Sequence, residues 1–397
     1  MKGRNSLGKS HHFHLLAKPT GPMCNLDCEY CFYTKKESNY PKNHSFRLPD
    51  DVLEMYIQQY IASQDTEEVV FAWQGGEPTL MGLDFFIKAV SLQKKYAGGK
   101  QIKNTIQTNG TLLTDRWCEF LSAHHFLVGL SLDGPEAIHN QYRFDRGGKP
   151  TFHEVMRGLS LLKKHHVEYN VLTCVTRHSA YKPLEIYHFF KQQGIQYIQL
   201  IPVVEREECR FDVSPWTVES EMYGEFLISI FDEWVREDIG SVFVMNFEWA
   251  LAAWAGIPSS ICLFAEECGR ALVMEHNGDL FSCDHYVSPE YRLGNIKDGL
   301  MEAADQRFQR DFGRKKRSTL PRVCQNCEFR FACHGECPKN RFLVSEEKEQ
   351  GLNYLCASYK NFFKHISPYM KVMKQLLQAG LPVSLMKDIL IKHGKTC

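Results

Sequence analysis

Three cysteines lie within eight residues near the start of the chain, in the segment "PTGPMCNLDCEYCFY". Cys24, Cys28 and Cys31 are spaced C-x3-C-x2-C. Thiolates this close together bind zinc or an iron–sulfur cluster, and three of them leave one metal position without a protein ligand. Because a structural zinc site is normally closed by four protein ligands, the pattern favours a [4Fe–4S] cluster with one iron open to a substrate or cofactor.

A larger group of cysteines lies in the last third of the chain. Its members are Cys262, Cys268, Cys283, Cys324, Cys327, Cys333, Cys337 and Cys356. Such a set can form two four-cysteine sites for zinc or for iron–sulfur clusters, and the spacing alone does not choose between the metals. The other cysteines are scattered, and we expect small buried hydrophobic residues or an inert thiol at Cys118, Cys174, Cys209 and Cys397.

The composition narrows the class of protein. The chain has 397 residues, of which 44% are hydrophobic, and this is enough for a large core. Lys+Arg and Asp+Glu both number 47, so the zero net charge argues against binding to nucleic acid or to an anionic membrane surface. No apolar run suits a signal peptide or a membrane span. We expect a cytoplasmic protein, in which clustered cysteines more often bind metal than form disulfides.

Strand-like and helix-like segments alternate over the first 205 residues. The predicted strands are residues 12–18, 68–73, 104–108, 126–132, 168–175 and 196–203. Six consecutive β–α units predict a parallel sheet with right-handed crossovers. Six strands are fewer than the eight of a closed barrel, so the predicted fold class is α/β, an open, partial (β/α)6 barrel. Ligands of such folds lie at the carboxyl ends of the strands, and the three-cysteine loop follows the first strand.

The second half of the chain lacks the regular alternation of strand-like and helix-like segments. Residues 216–239 read as a long amphipathic linking helix, and "ALVMEHNGDLFSCD" reads as a hairpin that turns at Asn277-Gly278. The tail, residues 358–393, has helical periodicity. We expect the basic run "RKKR" (314–317) to be a solvated loop, and we expect Asp133-Gly134-Pro135 to be an ordinary turn without a functional role for Asp133.

Several motifs together resemble a known family. "CNLDCEYCFY" resembles the signature of radical S-adenosylmethionine (radical SAM) enzymes, whose fold is a partial (β/α)6 barrel. "WQGGEPTL" (73–80) is similar to that family's glycine-rich turn beside the cofactor's methionine amino group. The cysteine pattern over 268–356 resembles the SPASM extension, which carries two auxiliary [4Fe–4S] clusters.

Within that superfamily, the ordered motifs "CFY", "QGGEPTL", "QTNGTLL", "GLSLDGP", "CDHYV" and "LGNI" resemble the anaerobic sulfatase-maturating enzymes. The resemblance runs over about residues 13–365. One departure is "CHGEC", in which Glu336 stands at a position that is often glycine in the family. We expect Glu336 to perturb a loop without removing a cluster. The implied domains are a radical SAM partial barrel with its linking helix (1–240), a SPASM domain (241–365) and a helical tail (366–397).

The resemblance also implies roles for individual residues. Cys24, Cys28 and Cys31 would ligate the radical SAM cluster, and S-adenosylmethionine would bind the open iron through its amino and carboxylate groups. The residues that would line the S-adenosylmethionine pocket are Tyr30, Gly75, Gly76, Ser131, Arg143 and Val204. The implied ligands of one auxiliary cluster are Cys262, Cys268, Cys283 and Cys337. The implied ligands of the other are Cys324, Cys327, Cys333 and Cys356.

The implied reaction is the oxidation of a cysteine or serine of a sulfatase to Cα-formylglycine under anaerobic conditions. It needs a proton acceptor, and Asp284 is the candidate because it follows Cys283 directly. The implied partners are a sulfatase polypeptide and an electron donor such as flavodoxin or ferredoxin, with no nucleic acid or membrane.

Two other functions stay open at this point. One is a zinc-bearing interaction module on an α/β body. The other is a different SPASM-type radical SAM enzyme that forms thioether or carbon–carbon links in a small peptide. The sequence shows no obvious N-terminal peptide-recognition domain, and this disfavours many enzymes of the second kind.

Overall fold

The structure, a computed structural model, describes residues 13–41, 44–206 and 213–392. The chain divides into two compact units that are each built from several segments. The first unit comprises Met1–Cys24, Glu37–Ile106 and Gly269–Gly313. The second unit comprises Asn25–Lys36, Gln107–Cys268 and Arg314–Cys397.

The strands of the described residues are short. They are β1 (His14–Lys18), β2 (Glu68–Trp73), β3 (Gln101–Thr108), β4 (Phe126–Ser131), β5 (Tyr169–Val175), β6 (Tyr197–Pro202), β7 (Phe243–Val244), β8 (Ala271–Glu275), β9 (Asp279–Phe281), β10 (Arg292–Asn295), β11 (Leu343–Val344) and β12 (Gln350–Leu352).

The α-helices alternate with these strands in the first half of the chain and dominate its end. They are α1 (Asp50–Ser63), α2 (Leu83–Tyr96), α3 (Asp115–Ala123), α4 (Glu136–His139), α5 (Phe152–Lys164), α6 (Pro183–Gln192), α7 (Met222–Glu233), α8 (Met245–Ala255), α9 (Leu300–Ala304), α10 (Arg307–Ser318), α11 (Arg322–Gln325), α12 (Arg330–Cys333), α13 (Cys356–Gln378) and α14 (Met386–Lys392). Across the described ranges, none of the helices combines the length and the apolar character that a membrane crossing requires.

Single helical turns connect several of these elements. The 3-10 turns are Thr34–Asn39, Pro78–Met81, Ser179–Tyr181, Asp284–Tyr286, Pro289–Tyr291, Ile296–Asp298, Pro338–Asn340 and Val383–Leu385, and a π-helical turn covers Trp234–Asp238.

In the first unit, β1 lies in the middle of a mixed sheet. It pairs in parallel with β2 on one side and with β8 on the other, and β2 pairs in parallel with β3. The predicted hairpin is confirmed, since β8 and β9 are antiparallel and turn at Gly278, whose φ is +84°. Strand β10 then pairs antiparallel with β9. The region after residue 268 therefore extends the sheet next to the strand that precedes the three-cysteine loop.

Helix α1 covers this sheet with a row of large side chains. Pro49 precedes the helix, and two acidic residues in its first turn suit the positive end of the helix dipole. The Tyr56 hydroxyl donates to the Leu15 carbonyl at 3.1 Å, and the Tyr60 hydroxyl donates to the Val70 carbonyl at 3.2 Å. Both tyrosines are almost fully buried, so their hydroxyl groups find partners without leaving the apolar interface.

In the second unit, β4, β5, β6 and β7 pair in parallel in chain order. The predicted alternation of six strands with helices is thus confirmed, and the described strand limits lie within three residues of the predicted ones. Strand β7 was not predicted, because two residues are too few to leave a sequence pattern.

The predicted linking helix is shorter than expected. Helix α7 begins at Met222, and the π-helical turn Trp234–Asp238 follows it. The segment before α7 is instead tied to the residues after β6, since Val218 N–H donates to the Val203 carbonyl at 3.0 Å and Glu205 N–H donates to the Thr217 hydroxyl at 3.0 Å. These bonds keep the first turns of the predicted helix in an irregular conformation.

The tail forms two helices, as its periodicity indicates, with the break at Gly380, whose φ is +69°. The predicted domain limit at residue 365 falls inside α13. The limits at residues 240 and 365 stay predictions, because the two compact units divide the chain differently.

Helices α7 and α13 touch at a glycine. Gly224 N–H donates to the Ser358 hydroxyl at 2.7 Å. A Cβ atom on Gly224 would lie 2.7 Å from the Ser358 carbonyl oxygen and 2.8 Å from its Cα. The backbones of the two helices therefore approach closely only because residue 224 has no side chain.

We expect Gly224→Ala to separate these two helices and lower the free energy of unfolding by about 1–3 kcal/mol, the usual cost of overpacking. Urea unfolding followed by circular dichroism measures this change. Ser229→Ala, on the partly exposed face of α7, is the control and should stay within about 0.5 kcal/mol of the parent chain. Equal stability of both variants would show that the helix contact is not tight.

Candidate functional site

The glycine-rich turn after β2 lies against the backbone that leads to the first cysteine. Gly76 N–H donates to the Gly21 carbonyl at 2.7 Å, and Glu77 N–H donates to the Met23 carbonyl at 2.9 Å. A Cβ atom on Gly76 would lie 2.0 Å from the Met23 carbonyl oxygen. Only glycine permits this approach, so the turn places the backbone before Cys24.

The adjacent Gly75 has a different constraint. Its φ is +128°, a region that residues with a side chain rarely adopt. The turn is then closed by Glu77, whose buried carboxylate accepts from Thr79 N–H at 3.0 Å and from the Thr79 hydroxyl at 2.7 Å. The backbone groups of the turn are thus held in a defined shape.

In the second unit, the rest of the three-cysteine loop is held by backbone and amide hydrogen bonds. Asp27 N–H donates to the Phe144 carbonyl at 2.8 Å, and Glu29 N–H donates to the Tyr142 carbonyl at 3.1 Å. Cys31 N–H closes a turn on the Cys28 carbonyl at 2.9 Å. No disulfide joins two of the described cysteines, which leaves their sulfur atoms available to bind a metal. Cys209 and Cys397 lie outside the described residues.

A buried ion pair lies at the carboxyl end of β4. Arg143 donates to Asp133 through Nε at 2.8 Å and through Nη2 at 3.1 Å. The Tyr30 hydroxyl donates to the same carboxylate at 2.5 Å, and Cys174 N–H donates to it at 3.0 Å. Only 3% of Asp133 and 6% of Arg143 are exposed. The expectation that Asp133 is a plain turn residue is therefore wrong.

The Arg143 guanidinium helps to keep Asp133 ionised in spite of its burial. Burial by itself raises the pKa of Asp133, but Arg143 and the hydrogen bonds from Arg143 and Tyr30 outweigh it, so the pKa lies below its ordinary value. His139, which is fully buried beside the pair, has its pKa lowered to about 3 by burial and by Arg143. The site therefore holds an ionised Asp133 next to a neutral imidazole.

Two other predicted pocket residues lie near strand ends of the second unit. Ser131 is the last residue of β4 and is mostly buried. Val204 follows β6, and its carbonyl accepts from Lys339 Nζ at 3.0 Å. Lys339 also forms an ion pair with Glu205 and lies over the Phe32 ring at 5.4 Å. The carboxyl end of β6 is thereby tied to the region of the later cysteines.

Asp284 has a partner that the sequence did not reveal. It begins the 3-10 turn after Cys283 and forms an ion pair with Lys18, the last residue of β1. Lys18 is only 2% exposed, whereas 28% of Asp284 is exposed. Strands β1 and β8 pair in register with Lys18 opposite Glu275. The ion pair therefore places the Lys18 ammonium against the Asp284 carboxylate, whose Oδ1 is buried although 28% of the side chain is exposed.

In the second unit, the later cysteines occur in two neighbourhoods. Burial, with smaller contributions from Cys356 and Cys327 and against the effect of Arg341, raises the pKa of Cys324 to about 11. Burial also raises the pKa of Cys333 to about 12, with added contributions from Glu336, Cys356 and Cys324. The thiols of the second implied ligand set thus act on one another.

The other neighbourhood contains three cysteines of the first implied set. Burial raises the pKa of Cys337 to about 12, with Glu336 and Cys262 contributing in the same direction. Burial and Cys262 likewise raise the pKa of Cys268, while Lys316 acts to lower it. The fourth implied ligand, Cys283, belongs to the first unit and is half-buried there.

The basic run over 314–317 is not a solvated loop. It lies in α10, and Lys316 is fully buried. Lys316 Nζ donates to the Cys262 carbonyl at 2.6 Å and to the Leu263 carbonyl at 2.8 Å. Burial, the largest effect, lowers the pKa of Lys316, whereas Cys262 acts to raise it. The only sequence signal that distinguishes Lys316 from its exposed neighbours is its position on the inner face of an amphipathic helix.

Glu336 does more than perturb its loop. Its φ is +55°, and its carboxylate accepts from Cys337 N–H at 2.5 Å and from the side-chain amides of Asn353 at 2.6 Å and Asn340 at 3.1 Å. Arg341 donates to the Gly335 carbonyl at 2.7 Å. These bonds connect the chain around Cys337 with the chain just before Cys356.

This arrangement fits iron–sulfur chemistry. Buried thiols with raised pKa values ionise readily only where a cation compensates them, and the positive charge of bound iron does so. Lys316 and Arg341 add fixed positive charge near the same sulfurs. The cysteine-rich part of the second unit is therefore suited to hold metal clusters.

Comparison with known proteins defines the class. A family model described as the radical SAM superfamily matches residues 19–189. A model described as an iron–sulfur cluster-binding domain, SPASM, matches residues 262–328. The chain is thus a radical SAM protein with a SPASM region, and the predicted fold class is confirmed. These matches favour iron–sulfur clusters over the zinc-bearing module.

Full-length relatives define the family. A serine-type anaerobic sulfatase-maturating enzyme of Bacteroides thetaiotaomicron is 46% identical over 392 residues, which cover 95% of each chain. A cysteine-type enzyme of Clostridium perfringens is 35% identical over 360 residues, or 89% of this chain and 96% of that one. A solved structure of native anSMEcpe with bound AdoMet and Cp18Cys peptide matches with a TM-score of 0.83 at 35% identity, covering 92% of this chain and 99% of that one. The chain belongs to the family of anaerobic sulfatase-maturating enzymes.

We expect Asp133→Asn to destabilise the protein by about 3–5 kcal/mol, because it leaves Arg143 buried without a counter-charge. Tyr30→Phe removes one hydrogen bond from the same ionised carboxylate and should cost about 1.5–3 kcal/mol, the usual range for a hydrogen bond to a charged group. Guanidinium unfolding of both variants gives this comparison. Equal losses for both would show that the ion pair contributes no more than this one hydrogen bond.

The same pair sets a pH dependence. Since the folded protein lowers the pKa of Asp133, its stabilising contribution is complete above the ordinary aspartate value of about 4 and is lost as the pH falls through and below that value. The parent chain should therefore lose stability faster than Asp133→Asn between about pH 5 and pH 2.

Proposed function

We propose that this protein oxidises a cysteine or serine of a sulfatase polypeptide to Cα-formylglycine under anaerobic conditions. It would use S-adenosylmethionine and three [4Fe–4S] clusters. The observation that carries this proposal is the 46% identity, over 95% of both chains, to an anaerobic sulfatase-maturating enzyme. The bound AdoMet and peptide of the solved relative support the same cofactor and substrate class here.

Cys24, Cys28 and Cys31 would hold the first cluster, and Gly75 and Gly76 would bring backbone groups to the cofactor. The Gly76 contact with Met23 supports this role, because no side chain fits between the turn and the cysteine loop. When bound, the cluster and S-adenosylmethionine supply a 5′-deoxyadenosyl radical that abstracts hydrogen. The chain itself positions these groups and excludes water.

The structure refines the proposed role of Arg143. A guanidinium has five N–H donors, and Asp133 takes two of them. Nη2 also donates to Cys174 Sγ at 4.0 Å, so the two donors of Nη1 would bind the carboxylate of S-adenosylmethionine, while Asp133 fixes the plane of the guanidinium. Asp133 is therefore a positioning residue, and Tyr30, Ser131 and Val204 would line the same pocket. Because Asp133 is buried, Arg143 cannot turn away to a solvent-exposed partner.

The eight later cysteines would hold the two auxiliary clusters in the sets implied by the family resemblance. One set is Cys262, Cys268, Cys283 and Cys337, and the other is Cys324, Cys327, Cys333 and Cys356. The mutual effects on thiol pKa values within the second unit support this grouping. Removal of two electrons from the substrate requires an electron exit, and these clusters would provide it.

Asp284 would accept the proton of the substrate thiol or hydroxyl. Its ion pair with Lys18 supports this role, because an ammonium partner keeps a carboxylate ionised and oriented. Lys18 would act as a positioning residue through Asp284. The donor of electrons to the first cluster would be a one-electron carrier protein such as flavodoxin or ferredoxin.

The direct test uses protein reconstituted anaerobically with iron and sulfide. We expect about twelve irons per chain and, with S-adenosylmethionine and dithionite, conversion of a cysteine- or serine-containing sulfatase peptide to the formylglycine form, seen by mass spectrometry. Replacing Cys24, Cys28 and Cys31 together by Ala should remove about four irons and abolish both 5′-deoxyadenosine and formylglycine. Replacing Cys118 by Ala is the control and should keep the full iron content. Full iron and cofactor cleavage in the triple variant would refute the ligand assignment.

Asp284→Asn should keep the cluster content and S-adenosylmethionine cleavage but lower formylglycine formation by roughly a hundred- to ten-thousand-fold, the contribution of a positioned base. Iron, 5′-deoxyadenosine and formylglycine are measured in one sample. Asp298→Asn, an exposed aspartate of the same unit, controls for surface charge. A near-normal yield of formylglycine from Asp284→Asn would end its candidacy as the base.

The variant Lys18→Met removes the ion-pair partner of Asp284 and leaves the proposed proton acceptor in place. If Lys18 positions Asp284, this variant should lower formylglycine formation less than Asp284→Asn and shift the pH profile of product formation to higher pH, since the carboxylate loses its stabilising cation. An unchanged pH profile would mean that the ion pair serves stability alone.

A further inference from the structure

Helix α13 carries a line of lysines that starts at a cluster-binding cysteine. Cys356 is the first residue of the helix, and Lys360, Lys364, Lys371 and Lys374 follow at spacings of four, seven and three residues. These spacings place the four lysines on one face of the helix. Lys360, Lys364 and Lys371 are exposed, Lys374 is partly exposed, and α13 contains no acidic residue.

An aromatic groove lies beside the far half of this lysine row. It has a volume of about 530 Å³, and Lys371 and Lys374 form one side of it. The other side includes Trp254 and Phe331, whose ring centroids are 4.8 Å apart. Phe331 is 46% exposed. A large aromatic ring this open to solvent, in a concave surface, is typical of a protein–protein contact.

One segment contributes both to the groove and to the second set of cluster ligands. Glu328, Phe329 and Phe331 line the groove, and they lie between Cys327 and Cys333 in sequence. A protein seated on this groove would therefore contact the loop that holds the second auxiliary cluster.

The charge of this surface selects its partner. The whole chain has no net charge, yet residues 356–397 contain seven lysines and one aspartate. Glu328 is the acidic residue among those lining the groove. A positive patch around an apolar centre favours a partner with an acidic face, and it speeds their encounter at low salt.

We propose that the lysine row of α13 and the Trp254–Phe331 groove form the docking surface for an acidic one-electron carrier protein of the flavodoxin or ferredoxin type. This inference rests on the proposed function. In that reaction the reduced carrier supplies the one electron that cleavage of S-adenosylmethionine consumes. One substrate electron then leaves with the abstracted hydrogen atom, the base takes the proton, and the second substrate electron would pass through the auxiliary clusters to the oxidised carrier. The carrier is thereby neither oxidised nor reduced overall, and S-adenosylmethionine is the net two-electron oxidant.

The test measures binding of oxidised flavodoxin to the reconstituted enzyme by isothermal titration calorimetry. The parent chain should bind, and its affinity should fall as salt is raised. Lys371→Glu together with Lys374→Glu should weaken binding about tenfold or more. Phe331→Ser should weaken it independently of salt. The matched control is Lys88→Glu with Lys94→Glu on the exposed face of α2, which should bind like the parent.

Methyl viologen partly reduced by dithionite separates this inference from the proposed function, because a small redox dye needs no docking surface. Reduced viologen supplies the electron for cofactor cleavage, and oxidised viologen accepts the electron that leaves the substrate. All variants should form formylglycine with the viologen couple, and only the groove variants should lose the flavodoxin-supported reaction. Unchanged flavodoxin binding by the groove variants would overturn the docking surface while leaving the function intact. Weakened binding of the sulfatase peptide without weakened flavodoxin binding, or a changed oligomeric state, would also overturn it in favour of another occupant.

Discussion

Buried thiols are the constraint on which the cysteine-rich part of this protein depends. Burial raises the pKa values of Cys333 and Cys337 to about 12, so without a cation they would remain protonated thiols at neutral pH. The chain supplies part of the compensating charge itself, through Lys316 and Arg341 inside the same unit. Iron would supply the rest, and its binding free energy then becomes folding free energy.

The same principle of paired burial applies at two strand ends. Asp133 follows β4 and is paired with Arg143, while Lys18 ends β1 and is paired with Asp284. Both members of the first pair and Lys18 of the second are nearly buried, and each pair places a charged group where ligands of α/β folds bind. The two pairs differ in exposure, however. Asp133 is closed off by its partners, which suits a residue that holds another group in place, whereas Asp284 remains 28% exposed, which suits a residue that exchanges a proton.

Much of the fold and the family were predictable because they depend on local patterns. The six strands, the turn at Gly278 and the three-cysteine loop each show in a few consecutive residues. The missed features depend on pairing between distant segments. Asp133 looks like a turn residue until Arg143 and Tyr30 are placed beside it, and Lys316 looks like its exposed neighbours until α10 is seen to bury one face. The pair of Lys18 and Asp284 joins residues that are far apart in sequence, so no local pattern predicts it. In each case burial of a charged side chain depends on a partner outside its own segment.

Glu336 shows how a residue that breaks a local rule is accommodated. A left-handed backbone conformation costs a residue with a side chain roughly 1–2 kcal/mol relative to glycine, and its φ of +55° lies in that region. Burial of its carboxylate adds a further cost and raises its pKa. Hydrogen bonds from Cys337 N–H, Asn340 and Asn353 offset both costs. They also join the segments on either side of β11 and β12, one containing Cys337 and the other ending just before Cys356. A glycine at this position would adopt the turn at no cost but could not make that connection, and the backbone of this cysteine region is therefore expected to rely on Glu336.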